Sequence, residues 1–161
     1  MREHWAEEFV CYVGKRGVPC DRVRHSNGWL ETVDLANCRC FIKSVSYDER
    51  RRQYFLGVDP GKLSESGDAV VICGGRRREL SDIFVIPWKR FFAAIEHSEP
   101  INTYRNREYF QYKFYVRERD GKWIASFQGG SQPILQLTGM RFEPKDAAAH
   151  LRSMECRGNA R

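Results

Sequence analysis

No apolar run in this chain approaches the ~18 residues that a membrane helix needs. The first ten residues, MREHWAEEFV, carry acids where a signal peptide has a basic and then an apolar stretch. The expectation is a cytoplasmic protein with no membrane partner. No internal repeat, low-complexity tract or linker interrupts the chain, so we expect one domain over 1–155 and a flexible tail over 156–161. Zinc spacing is also missing. Cys38 and Cys40 are separated by a single residue and no second pair follows. Without an export signal, the six cysteines are expected to be reduced. His4, His25, His97 and His150 are scattered, and none pairs with a serine or cysteine at a spacing that suggests a nucleophile. Lysine is scarce: arginine supplies 20 of the 27 basic residues.

That imbalance is the first positive signal. Arginine presents a planar fork of donors that matches phosphate. The formal net charge is +6, so an anionic partner fits the composition, as does a merely solubilising surface. With 161 residues, 42% of them hydrophobic, the chain is large enough for a full core and unlike a disordered segment.

Trp5, Phe9 and Val13 repeat every four residues and predict a helix over Glu3 to Arg16, ended by Gly17 and Pro19. A strand is expected over Asp21 to His25, then a turn at Ser26-Asn27-Gly28. Trp29 to Ala36 and Arg39 to Val45 read as a hairpin with a two-residue loop at Asn37-Cys38. A charged stretch (Tyr47 to Gln53) and a loop (Asp59 to Gly67) follow. Ala69 to Cys73 and Ile83 to Ile86 read as strands buried on both faces. Trp88 to His97 reads as a short helix. Glu108 to Arg117 and Trp123 to Phe127 form a second hairpin around Asp120-Gly121, and Pro144 opens a last helix over Lys145 to Arg152 after a loop spanning 129–142. The sum is an α/β domain: a mixed central β-sheet flanked by helices, with an added C-terminal β-hairpin and helix. Both alternating faces of Tyr109 to Tyr115 are aromatic. That pattern suggests a strand packed on both sides more than a base-stacking surface.

A loop at Asn37-Cys38 would set Asp34 opposite Phe41 and Thr32 opposite Lys43. Asp34, Phe41 and Lys43 would then share one face, with Val33, Leu35, Cys40 and Ile42 on the other. An aspartate and a lysine on one face of a core hairpin could hold a divalent metal and orient a water. They could equally form a half-exposed ion pair.

These residues and their order resemble the PD-(D/E)XK nucleases. In that family a helix with a glutamate precedes a hairpin with an aspartate, then an acid-x-lysine strand. Glu7 and Glu8, Asp34, and Lys43-Ser44 stand in that order here. The stretches from Asp68 and from Asp82 look like the later strands, and the likeness covers roughly the first 95 residues. The resemblance implies a restriction-endonuclease-like fold and a metal-dependent DNA endonuclease of restriction, homing or junction-repair type. Asp34 would hold Mg²⁺ (or Mn²⁺), Lys43 would orient the attacking water, and the protein would act as a homodimer. The departure is Phe41, where the family has an acid two residues before the lysine. Glu7 or Glu8 would have to complete the metal shell, or the register differs. A one-residue shift would bring Cys40 and no acid. Arg50, Arg51 and Arg52, and Arg76, Arg77 and Arg78, would contact backbone phosphates. RNA is not excluded by any of this. The alternatives are a catalytically decayed nucleic-acid-binding module on the same fold and a protein-interaction subunit.

Overall fold

The computed structural model of the protein describes residues 4–24, 31–58, 67–104, 107–129 and 134–154. The expected turn at Ser26-Asn27-Gly28, most of the Asp59-to-Gly67 loop and the tail over 156–161 lie outside the described residues.

Helix α1 (Trp5–Gly14) forms where the four-residue stripe predicts it and buries Ala6, Phe9 and Val13. The chain then builds an antiparallel meander from β1 (Cys20–Arg24), β2 (Glu31–Leu35) and β3 (Cys38–Ser46). Strand β4 (Tyr54–Val58) leaves this sheet. The chain returns as β5 (Ala69–Arg76), parallel to β3, and turns back as β6 (Glu79–Pro87). Helix α2 (Trp88–Glu96) follows, then β7 (Ile101–Tyr104), β8 (Arg107–Arg119), β9 (Lys122–Phe127), β10 (Ile134–Gln136), β11 (Arg141–Phe142) and α3 (Pro144–Ser153). The result is mixed α/β with two sheets. The first has the order β1-β2-β3-β5-β6-β11 and the second β10-β9-β8-β4, with β7 also paired to β8.

The added C-terminal hairpin pairs with β4, a strand not expected from the sequence, and forms a second sheet. One expectation is corrected here. The loop expected over 129–142 contains β10 and β11, one at the edge of each sheet.

The first sheet separates two cores. One set of alternating side chains (Val33, Leu35, Cys40, Ile42, Val71, Cys73) packs under α1 and α3. The other set (Phe41, Val70, Ile72, Phe84, Ile86) packs against α2 and the inner face of the second sheet, including Leu56, Phe114 and Phe127. Strand β5 is therefore apolar on both faces, as its unbroken hydrophobic run predicts. Gly74 and Gly75 do not stop it. A Cβ on Gly74 would lie 2.6 Å from the Tyr54 ring, and one on Gly75 would lie 1.9 Å from the Trp5 ring. The glycine pair gives room to one large aromatic on each face.

A buried polar cluster pins the two sheets together. Tyr54 on β4 donates its phenol hydrogen to Asp82 on β6, and Arg141 on β11 donates to the same carboxylate at 2.8 Å through Nε. Asp82 is only 3% exposed. Burial, then the Asp82 hydrogen bond, holds the Tyr54 phenol far above its ordinary range. Burial alone would lower the Arg141 pKa, but Asp82 and Glu143 outweigh it and the net direction is up.

Cys11, Cys20, Cys40 and Cys73 are free thiols, whereas Cys38 is disulfide-bonded. This corrects the expectation of a fully reduced set; Cys11 is exposed. Among the described residues no helix is long and apolar enough to cross a membrane.

Candidate nucleic-acid interface

The hairpin turn is Ala36-Asn37, with φ of 50° and 67°, not Asn37-Cys38. Positive φ at both central residues gives the twist that a two-residue hairpin requires. Cys38 becomes the first residue of β3, buried opposite Leu35. The pairing is thus displaced by two residues from the expected one. A two-residue slip preserves faces, so Asp34, Phe41 and Lys43 still share one side. It changes partners. Asp34 stands opposite Arg39, and Thr32 stands opposite Phe41.

Arg39 Nε lies 3.3 Å from Asp34 Oδ1. Lys43 is four residues further along β3, about 13 Å away at 3.3 Å per residue. Phe41 between them is 1% exposed, its ring 4.9 Å from that of Trp88. Burying a side chain of that size contributes about 1.5–3 kcal/mol, so the position belongs to the core. Helix α1 lies across the opposite face of this sheet. Its Ala6 amide donates to Ser44 Oγ at 2.7 Å, and Trp5 Nε1 donates to Ser46 Oγ at 3.0 Å. Glu7 and Glu8 are exposed on that helix and are not brought to the side that carries Asp34 and Lys43.

This donor set fits Mg²⁺ or Mn²⁺ poorly: Asp34 already faces the Arg39 guanidinium, and although Asp21 stands directly opposite it on β1, position 41 is a phenylalanine and not an acid. Asp68, at the start of β5, accepts from the Arg39 amide at 2.8 Å, so its carboxylate is tied to the strand backbone. Among the described residues no three His, Cys, Asp or Glu side chains are grouped to hold a metal. A thiol nucleophile fits no better. Burial, then the Asp68 and Asp34 charges, pushes Cys40 up to about 12, and burial raises Cys73 well above its ordinary value.

The arginine triplets, 26 positions apart in sequence, come together. Because β3 and β5 run parallel, their C-terminal ends are neighbours, and each leads into an arginine turn. The Tyr47 amide donates to the Gly75 carbonyl at 2.9 Å. Arg76 Nε lies 3.5 Å from Glu49 Oε1, and the Arg76 guanidinium sits 4.1 Å over the Tyr47 ring. Asp48 accepts from the amides of Arg50 and Arg51, both at 3.0 Å, and so shapes the first turn. Glu49 and Asp48 take up Arg76 and Arg51, while Arg50, Arg52, Arg77 and Arg78 are exposed and make no ion pair among the described residues.

Backbone conformation marks the same residues. Arg52, Arg77 and Arg78 have φ of 54°, 53° and 64°. Residues with a side chain rarely adopt this left-handed region, and asparagine or glycine occupy it at least cost. Neither the local adjacency nor this strain is visible to periodicity.

The aromatic strand also differs from expectation. Phe114 and Val116 are buried inward, but Tyr115 points to the other side of the second sheet, stacked on Phe55 at 5.0 Å. Among the described residues, the outer side of β8 (Lys113, Tyr115, Arg117) is half-buried. Compared with known protein families, curated proteins and solved structures, the chain matches none.

Proposed function

We propose that this chain is a nucleic-acid-binding module that grips duplex DNA by its backbone through paired arginine turns, without hydrolysing it. The observation that supports this most is the conjunction at the ends of β3 and β5. Four exposed, unpaired arginines meet there, and three of them occupy the left-handed region. Strained backbone persists at functional positions because the side chain is needed there. An arginine fork donates two parallel hydrogen bonds to a phosphate, which positions DNA without reading its sequence. The scaffold of the proposal is restriction-endonuclease-like. What supports it is the run of α1, the β1-β2-β3 meander, parallel β5, then β6 and α2, with β4 departing to the second sheet between β3 and β5. The endonuclease reading itself is disfavoured by Phe41 in the core and by Asp34 facing Arg39. A DNA partner agrees with the cytoplasmic placement expected from the sequence.

The test is the affinity for a labelled duplex, measured by fluorescence anisotropy in EDTA across a range of salt. If each of the four arginines neutralises one phosphate, log affinity falls against log salt with a slope of about −3.6. Binding that ignores salt, or no binding at all, overturns the proposal.

A further inference from the structure

Strand β4 leaves the Arg50–Arg52 turn directly and becomes the edge of the second sheet. The inner face of that sheet is covered by α2 and the first sheet. Among the described residues no element packs on its outer face. Phe55 on β4 is 42% exposed there, and Ile134 on β10 is 60% exposed.

The register places one row of side chains straight across this face. Phe55 pairs with Tyr115, Tyr115 with Ser126, and Ser126 with Ile134. The Phe55 and Tyr115 rings are stacked with 30° between their planes. Lys113 Nζ lies 5.4 Å from the Phe55 ring, and the Arg117 guanidinium lies 5.5 Å from the Tyr115 ring. Gln128 donates to the Tyr115 hydroxyl and fixes that ring. Alternation along β8 and β9 puts Arg119 and Lys122 on the same side. Among the residues whose side chains are described, the face therefore carries four cations, while Glu118 is turned to the other side with Trp123. No acid belongs to its described residues, in a chain that has 21 acids. Arg117 Nε is buried and has no hydrogen-bond partner among the described residues.

We propose that this outer face is a stacking platform for a single-stranded stretch of DNA. Bases stack on Phe55 and Tyr115, and phosphates run along Lys113, Arg117, Arg119 and Lys122. Phe55 is exposed and Tyr115 half-buried on this face, and aromatic rings flanked by cations are the chemistry that single strands require. Every base has a π-face, whereas a paired base in a duplex does not offer it. The inference goes beyond duplex binding by the arginine turns. It concerns a different, adjoining surface and a different form of the nucleic acid.

The test compares a labelled mixed-sequence DNA single strand with its duplex, using the full chain and two variants. Phe55→Ala with Tyr115→Ala weakens single-strand binding by about tenfold or more and leaves duplex binding unchanged. Arg77→Asn with Arg78→Gly weakens duplex binding and retains the platform's single-strand affinity. Circular dichroism confirms that each variant is folded. Lys113→Gln with Arg117→Gln provides a second platform variant that keeps both rings. Photo-crosslinking of a 5-iododeoxyuridine strand to the unaltered protein, read by mass spectrometry, attaches to Phe55 or Tyr115. The inference is overturned if the single strand binds the platform variants as well as the unaltered chain, if it crosslinks elsewhere, or if only RNA strands bind. Duplex binding that fails while single-strand binding survives overturns the arginine-turn reading alone.

Discussion

Replacing Arg77 by asparagine and Arg78 by glycine installs the residue pair that a two-residue hairpin turn favours. Both arginines sit at positive φ in the tight connection between β5 and β6. A side chain in that region costs roughly 1–2 kcal/mol per residue. Asparagine relieves part of this, and glycine relieves it fully but loses about 0.5–1 kcal/mol of backbone entropy. The net is a gain of about 1 kcal/mol, or about 2–4 °C in Tm for a chain of this size. The same change removes two of the four unpaired arginines. The salt slope of duplex binding should then fall from about −3.6 to about −1.8. About a fourfold rise in salt would weaken the unaltered protein by about 150-fold and the variant by about 12-fold. Thermal unfolding and anisotropy titrations on the same preparations read both quantities. A variant that is more stable yet binds DNA with an unchanged slope refutes the assignment of these arginines. One that is no more stable refutes the argument from strain.

Other expectations concern the frame that holds the site. Asp82→Ala strands the Tyr54 hydroxyl and removes an anion from beside Arg141; because Arg141 keeps Glu143, the loss should lie near 3 kcal/mol by chemical denaturation. Tyr54→Phe leaves the Asp82–Arg141 pair in place and should cost less, about 1.5 kcal/mol. His150 stacks on Phe142 at 4.5 Å, and burial lowers its pKa from the ordinary 6.5. The unfolded chain therefore takes up the proton first as pH drops below about 6.5, so stability contributed by the neutral ring is lost on that side. His150→Gln should flatten stability between about pH 6.5 and the folded value, and an unchanged profile would count against this. A maleimide should label exposed Cys11 in the native protein well before Cys40 and Cys73, whose thiols are held protonated by burial. Equal rates at all three, followed by mass spectrometry, would contradict the packing.

Elements with strong local signals were legible in the sequence. The α1 stripe, the apolar run of β5, the Asp120-Gly121 turn and Pro144 at the head of α3 all appear where their chemistry places them. The register of β2 on β3 was not. Asn37 occurs in both candidate turns, and Cys38 reads as a polar turn residue until its burial opposite Leu35 is seen. Because strand periodicity is two, the slip left every side chain on its expected face and changed only its partner. That was enough to separate Asp34 from position 41. Strand β4 was hidden for a related reason. In Tyr54 to Val58 only three side chains turn inward, and they gain meaning once β8 lies beside them. The meeting of the two arginine turns depends on parallel pairing between residues 29 positions apart, which no local pattern records.

The most direct test incubates supercoiled plasmid with the protein in Mg²⁺, in Mn²⁺ and in EDTA, and reads retardation and strand integrity from the same samples. The account predicts equal, salt-sensitive retardation in all three and plasmid recovered intact. Nicking that requires the metal and disappears in Lys43→Ala would contradict it and restore a hydrolytic site on β3.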